Sequence, residues 1–435
     1  MKNLSTFQIV LLSFFALAIF IGVLIFSGTI PGFRSATTST LGSVNLWGPV
    51  PETTMTPFLE AFNKANKNTV QLVYTYKPLT TLESDFVNAL ASGRGPDLII
   101  LPSEMSYREA DKFVPVPYTT LALRDFKDTF VESGEVFLTP NGTLALPLLV
   151  DPLVMYYNRD IFSGEGIAEP PATWSAFRQV VKNINVIDNS GSIKRTALAF
   201  GEFSNNNNAK ADLSLLFLQA GSNIISYDVN NGYRASLTNT GGGTISPGQA
   251  ALDFFTQFAD PSKDGYSWNR SLPEARDAFA AGILATYFGF GSELNAVKDK
   301  NPNLNFDIAN VPQRDNGRKL TFARVYGIGV VKQTTNPNGA VQAALDLASK
   351  DSSNALGQLL GLPSARRDVL SGNFSNPYQA ALAKAAVMSV SWLDPDALAT
   401  QQIFSTAVSR VITGQQTAYD SITRANKELD QLLGH

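Results

Sequence analysis

Carboxylates are the side chains of this 435-residue chain that could carry chemistry, because it has 37 acidic residues, no cysteine and a single histidine, the final His435. The lack of cysteine excludes thiol catalysis and Cys-ligated zinc, and one histidine excludes multi-His zinc sites. A Ser-His-Asp triad would need its base at a fraying chain end. Hydrolysis by two carboxylates about 5 to 10 Å apart stays open, and Glu104 and Asp151 are the pair we nominate.

The sequence contains no glycine pattern for a dinucleotide or a nucleotide phosphate. Gly241-Gly242-Gly243 is followed by Thr-Ile-Ser-Pro rather than by a helix, so we interpret it as a loop. The net charge of −3 and the lack of a basic stripe argue against a nucleic-acid partner. We therefore expect no cofactor, no metal and no nucleic acid.

The N-terminal segment predicts where the protein works. Residues 3–33 carry no charge, and Ile9–Phe26 is an apolar run roughly long enough to cross a bilayer of about 30 Å. We interpret 1–34 as a single membrane anchor and 35–42 as a linker, with the body outside the cytoplasm, extracellular or periplasmic. A long signal peptide cleaved after Ala36 is the alternative. The absence of cysteine excludes a lipid-anchored protein.

The body of about 400 residues is too long for one hydrophobic core and suits two domains or lobes. Its first part alternates apolar strands at 43–47, 70–76 and 97–101 with helices at 54–66 and around 82–90, and each connection is short. Such β-α-β units indicate parallel strands with right-handed crossovers. The body is therefore predicted to be α/β.

Ligands of open parallel sheets bind beyond the carboxyl ends of the strands. Trp47, Ser103 and Glu104 follow two such ends and are the first site candidates. Trp47 could instead be a core aromatic residue, and Ser103 could cap the next helix. Further along, residues 142–158 are predicted to form two strands joined through a segment that carries Asp151, a carboxylate among apolar neighbours that needs a partner.

Several segments, in order, resemble the sugar-receptor branch of the extracytoplasmic solute-binding proteins of ABC importers. They include VNLWGPV, ALASGRGPDLIILPSE, GTLALPLLVDPLVMYYNRDIF, PPATWSAF, AFAAGILATYF, GIGVVKQTTNPNGAVQAAL and VITGQQTAYDSITRANKELDQLL. Each motif is weak alone, but together they cover nearly all of the chain after Gly42.

The resemblance implies a two-lobe, periplasmic-binding-protein-like fold of type II, with mostly parallel sheets flanked by helices and a hinged cleft. The N-terminal lobe would comprise 43–150 and 314–366, and the C-terminal lobe 151–313 and 367–435. The protein would be a monomer that works with ABC permease subunits in the membrane.

The resemblance also extends the candidate ligand contacts to both sides of the cleft. The full set is Trp47, Ser103, Glu104, Asp151, Tyr287, Phe288, Arg324, Tyr326 and Trp392. Trp392 could instead be a core residue, and Arg324 could belong to a surface ion pair. Aromatic faces with carboxylates suit a sugar or oligosaccharide, whereas Arg324 keeps a phosphorylated or carboxylated solute open. Gln401 and Gln402 stand where maltose-binding relatives carry a tryptophan, which argues against maltose.

Three functions from different classes follow. The first is a tethered importer receptor that binds a solute without chemistry. The second is a sensor or adhesion module on the same fold that serves no permease, and the third is a carboxylate-based glycosidase that uses Glu104 and Asp151.

Overall fold

The structure, a computed structural model, describes residues 40–435. Its first part confirms the predicted alternation, with β1 (Ser43–Gly48), α1 (Glu52–Ala65), β2 (Gln71–Tyr76), α2 (Leu82–Ala91) and β3 (Leu98–Pro102). Strand β1 lies between β2 and β3 and is parallel to both. The carboxyl ends of β1 and β3 therefore meet at one edge of the sheet, as the sequence predicts.

The remaining elements complete an α/β body. The other strands are β4 (Leu138–Thr139), β5 (Gly142–Thr143), β6 (Ala145–Asn158), β7 (Val186–Ile187), β8 (Ile193–Arg195), β9 (Ile225–Asp228), β10 (Gly232–Ala235), β11 (Thr286–Phe290), β12 (Phe306–Ala309), β13 (Thr321–Val330) and β14 (Ser389–Val390). The other helices are α3 (Leu123–Thr129), α4 (Arg159–Gly164), α5 (Trp174–Ile184), α6 (Ala209–Ala220), α7 (Pro247–Thr256), α8 (Ala275–Ala280), α9 (Leu294–Lys300), α10 (Pro337–Leu347), α11 (Lys350–Leu360), α12 (Arg367–Leu370), α13 (Pro377–Val387), α14 (Ala397–Ile412) and α15 (Ala418–Leu432).

The expectation of mostly parallel sheets is wrong for the main sheet. Its strand order is β11-β6-β13-β3-β1-β2, with β12 on β6 and β14 on β13. The two long strands β6 and β13 are antiparallel to each other, and they also pair antiparallel with β11, β12 and β3. The β-α-β pattern covers only β1–β3. It therefore carries no information on the direction of β6 and β13, which lie much later in the sequence.

The segment around Asp151 also differs from the prediction, because β6 runs through it as one strand of 14 residues. Asp151 lies opposite Arg324 of β13 in the sheet register. The sheet register thus places a cation across the ladder from the carboxylate, although the two side chains form no ion pair within 4 Å.

Strands β6 and β13 pass from one hydrophobic core to another. Before Asp151, apolar residues of β6 such as Leu148 pack with β1–β3 and helices α10 and α11 in a first core. After Asp151, Leu153 and Met155 pack with α5, α6 and α14 in a second core. We call the segments around these two cores the first lobe and the second lobe.

The predicted lobe boundaries stay a prediction, although five buried residues lie on the other side of them. Leu320 and Phe322, predicted for the N-terminal lobe, pack in the second core, whereas Leu370, Ala383 and Ala386, predicted for the C-terminal lobe, pack in the first. The predicted anchor at 1–34 and most of the linker lie outside the described residues. Within residues 40–435, no helix combines the length and the apolar character needed to cross a membrane.

Candidate solute-binding site

A cavity of about 180 Å³ lies between the two lobes. Its polar wall includes Ser103, Glu104 and Arg324 beside the first lobe, and Asn207, Asn208, Lys210, Ser214, Asp394 and Gln401 from the second. Three aromatic rings complete it, those of Phe290, Phe322 and Trp392. Four of the nine residues predicted from sequence therefore share this cavity, namely Ser103, Glu104, Arg324 and Trp392.

The short turn after β3 positions Glu104 in the cavity. Residues Ser103–Met105 form one turn of 3₁₀ helix directly after the strand. The Ser103 hydroxyl accepts a hydrogen bond from the backbone N–H of Val325 at 3.2 Å and donates one to Glu104 at 3.2 Å. Ser103 therefore ties the end of β3 to β13 and orients the carboxylate beside it.

Glu104 and Arg324 form a charge pair on the cavity wall. Arg324 Nε donates to Glu104 Oε1 at 2.6 Å, and the guanidinium carbon lies 4.8 Å from the ring centroid of Phe290. Burial alone would raise the pKa of Glu104, but the Arg324 charge and hydrogen bond outweigh it and hold that pKa below its usual value. The pair is thus ionised at neutral pH, and the remaining lone pairs of the carboxylate and the remaining N–H groups of the guanidinium can bind hydroxyls.

A second charge pair lies under Trp392. The Lys210 ammonium pairs with Asp394 and donates to the Ala397 carbonyl at 2.8 Å and to Thr400 Oγ1 at 2.7 Å. Its three N–H bonds are therefore all used inside the protein. The same nitrogen lies 5.7 Å from the Trp392 ring centroid, and Trp392 Nε1 donates to Ser214 at 3.2 Å. Sequence reasoning missed Lys210 and Asp394, because nothing in the sequence signals a pair so far apart along the chain.

Tyr287 and Phe288 do not line the cavity. Tyr287 is 1% exposed, and its hydroxyl donates to Glu293 at 2.5 Å and accepts from Asn208 at 2.8 Å. Phe288 is 4% exposed and stacks on Trp174 with 5.8 Å between ring centroids. The ring of β11 that reaches the cavity is Phe290, two positions beyond Phe288. Period-2 alternation in the TYFGF segment places Phe288 and Phe290 on the same face of the strand, so it does not distinguish the two.

Asp151, Tyr326 and Trp47 also lie outside the cavity lining. Asp151 is 0% exposed; its Oδ1 accepts from the N–H of Ser292 at 2.9 Å, and its Oδ2 has no hydrogen-bond partner. Burial, only partly offset by Arg324, raises the pKa of Asp151 to about 6. Burial likewise raises the pKa of Tyr326 to about 12.

Trp47 is half-buried at the end of β1, and the Lys77 ammonium lies 4.4 Å from its ring centroid. Its ring packs against apolar side chains of the first lobe. This environment matches the alternative interpretation of Trp47 as a core aromatic residue.

A larger cavity of about 630 Å³ adjoins the first one. Its wall includes Glu132 and Glu135 from the first lobe, and Tyr227, Arg314 and Arg318 beside the second. Ser391 and Trp392 belong to the walls of both cavities. Among residues 40–435, no group of three or more His, Cys, Asp or Glu side chains could hold a metal ion.

A two-lobe α/β body with a polar and aromatic cavity between its lobes defines a solute-binding protein. The model of the bacterial extracellular solute-binding protein family matches residues 47–354, most of the described chain. The protein belongs to this family, which places its body outside the cytoplasm. A relative in Brucella abortus (strain 2308), described as a binding protein, is 22% identical over 308 residues, which are 68% of this chain and 69% of the relative.

Solved structures share the fold at low sequence identity. A cyclo/maltodextrin-binding protein complexed with maltotetraose aligns with a TM-score of 0.72 and 16% identity, covering 92% of this chain and 98% of that one. An ABC transporter solute-binding protein from Thermotoga lettingae, bound with α-D-tagatose, aligns with a TM-score of 0.64 and 18% identity, covering 90% and 100%. Both neighbours are binding proteins rather than enzymes, and the likeness establishes the two-lobe periplasmic-binding-protein-like fold.

Proposed function

We propose that the protein is the receptor of an ABC importer for a neutral carbohydrate, which it binds in the cavity between its lobes. The observation that carries this proposal is the composition of the cavity wall. Aromatic faces of Phe290, Phe322 and Trp392 suit the C–H surfaces of a sugar, while amides and charge pairs suit its hydroxyls. The sugars bound by the two structural neighbours support the same class of solute.

The pairing of both cations argues for a neutral solute. Arg324 is bound to Glu104, and Lys210 to Asp394. A phosphate or carboxylate group would face these acids as well as the cations, so it would lose much of its Coulomb attraction. The alternative of a phosphorylated or carboxylated solute, which Arg324 alone suggested, therefore has less support.

The two lobes would close by a hinge movement in the strand pair that joins them. Asp151 and Arg324 face each other where β6 and β13 pass from one core to the other, and we propose this crossing as part of the hinge. We further propose that the body is a monomer outside the cytoplasm, tethered by residues 1–34, and that it delivers its solute to permease subunits. The sensor or adhesion role differs only in lacking that permease.

A glycosidase has little support. Of the two nominated acids, Asp151 does not reach the cavity, and Glu104 is held in its ion pair with Arg324. The second acid of the cavity wall, Asp394, is bound by Lys210 and Thr400. Neither carboxylate is free to act as a nucleophile or a proton donor. We propose binding without turnover.

The test is calorimetric titration of the full chain with neutral sugars, sugar phosphates, amino acids and polyamines. A neutral sugar should bind at about micromolar affinity or better and be recovered unchanged. Glu104→Gln should weaken that binding about tenfold or more, because it leaves Arg324 unpaired in the site. Glu60→Gln, at an exposed position of the first lobe outside the cavity, is the control. Tighter binding of any other solute class, or a hydrolysis product, would contradict the proposal.

A further inference from the structure

Trp392 lines both of the cavities that lie between the lobes. The solute cavity measures about 180 Å³ and its neighbour about 630 Å³, and the shared wall consists of Ser391 and Trp392. Trp392 is the only large side chain in that wall, and it is 5% exposed. The Trp392 indole is therefore the one large side chain common to both cavity walls.

This ring is held in place from several sides. Its Nε1 donates to Ser214 of α6 at 3.2 Å, and its centroid lies 6.0 Å from that of Phe404 in α14. The Lys210 ammonium, fixed by three acceptors, lies 5.7 Å from the ring. Rotation of the indole would break the hydrogen bond and disturb packing on two helices, so the ring is a fixed partition.

We infer that Trp392 limits the length of the solute and that the site takes a single sugar ring rather than an oligosaccharide. This inference rests on the proposed carbohydrate function. The solute cavity is smaller than the roughly 300 to 1,000 Å³ of most small-molecule sites. A second ring linked to the first would have to enter the larger cavity, and the indole stands in its way.

The inference predicts opposite effects on short and long sugars when the indole is removed. Trp392→Ala joins the two cavities and also removes a face on which a sugar packs. Binding of a monosaccharide should weaken about tenfold or more. The affinity for a linear trisaccharide should rise at least tenfold over that of the wild type, because the added space accepts further rings, so the trisaccharide-to-monosaccharide ratio should rise about 100-fold.

The experiment is calorimetry of the full chain with D-glucose, D-galactose, D-mannose, D-xylose, L-arabinose, D-fructose and D-tagatose, and with linear di- to tetrasaccharides of the sugars that bind. Wild-type protein should prefer a monosaccharide over its trisaccharide by about 100-fold. Trp174→Ala is the matched control, because Trp174 is also buried in the second lobe but does not line the solute cavity. Its trisaccharide-to-monosaccharide ratio should equal that of the wild type.

Trp392→Phe serves if Trp392→Ala does not fold, and it should shift the ratio in the same direction by a smaller factor. A wild-type protein that binds a trisaccharide as tightly as the monosaccharide would overturn the length limit and leave the carbohydrate function standing. A trisaccharide affinity that does not rise in a folded Trp392 variant would overturn the role of the partition. If no sugar binds at all, the proposed function itself fails.

Discussion

At the scale of single residues, the site is built from charges that the protein itself neutralises. Glu104 is paired with Arg324 and Asp394 with Lys210, so each ion has a partner inside the cavity wall. Buried charges are tolerated when they are paired and hydrogen-bonded. Outside the cavity wall, Asp151 and Asp212 differ, because each has one buried oxygen with no hydrogen-bond partner.

Asp151→Asn should stabilise the protein at neutral pH. Burial raises the pKa of Asp151 from its ordinary 3.8 to about 6. Ionised Asp151 therefore costs the folded state at most about 3 kcal/mol above that pKa, and the cost disappears as the pH falls towards 4. The asparagine can still accept the hydrogen bond from Ser292, so its free energy of unfolding should exceed that of the wild type at about pH 7.5.

Urea unfolding at about pH 5 and about pH 7.5 measures this difference. The gain in free energy of unfolding over the wild type should be smaller at the lower pH. For Asp299→Asn, at an exposed position, the difference from the wild type should be the same at both pH values. The free energy of unfolding of Asp151→Asn should still depend on pH, because burial also raises the pKa of Asp212. Equal destabilisation by Asp151→Asn at both pH values would show that the carboxylate stabilises the fold through Arg324 instead.

At the scale of elements, helix α14 depends on the side chain at its start. The Asp396 side chain accepts hydrogen bonds from the N–H groups of Leu398 at 3.0 Å and Ala399 at 2.9 Å. N–H groups in the first turn of a helix have no acceptor within the helix itself. Asp396 also forms a 3.0 Å ion pair with Arg108 of the first lobe. One residue therefore both caps a helix and contacts the other lobe.

Two substitutions separate these roles. Asp396→Ala removes the cap and should lower the free energy of unfolding by about 1 kcal/mol. Asp396→Asn keeps the acceptor and loses only a partly exposed ion pair, so its stability should change by about 0.5 kcal/mol or less. Thermal or urea unfolding of both variants tests this. Equal losses in the two variants would show that the charge, not the cap, supports the helix.

The sequence predicted those elements whose pattern is local. Strands β1–β3 and their helices were predicted because apolar spacing and glycine stops lie within each segment. The antiparallel pairing of β6 and β13 was not predicted. It depends on residues that are far apart in the sequence, such as Asp151 and Arg324.

The same limit applies to the site. Ser103 and Glu104 were predicted because they follow a strand end, and Trp392 was predicted from the resemblance to the sugar receptors. Tyr287 and Phe288 were chosen over Phe290 because sequence spacing alone did not fix which residues of β11 face the cavity. Their burial arises from packing that only the folded chain shows.

At the scale of the whole molecule, the lobes contact each other on several sides of the cleft. Arg108 pairs with Asp396, Arg318 with Glu132, and the ring of Tyr107 meets that of Tyr233 edge-on with 5.7 Å between centroids. Exposed ion pairs are worth about 0 to 1 kcal/mol each. These contacts can therefore support closure around a solute but are too weak to fix the lobes permanently.

The central claim is that a neutral sugar closes the two lobes on each other. The chain has no cysteine, so Glu60→Cys in the first lobe and Asp264→Cys in the second give two unique positions for spin labels. The decisive measurement is the distance distribution between these labels in the full chain, with and without the sugar identified by calorimetry. The account predicts a broader distribution without sugar and a shorter, narrower one at saturation. A distribution that stays the same at saturating sugar would contradict it.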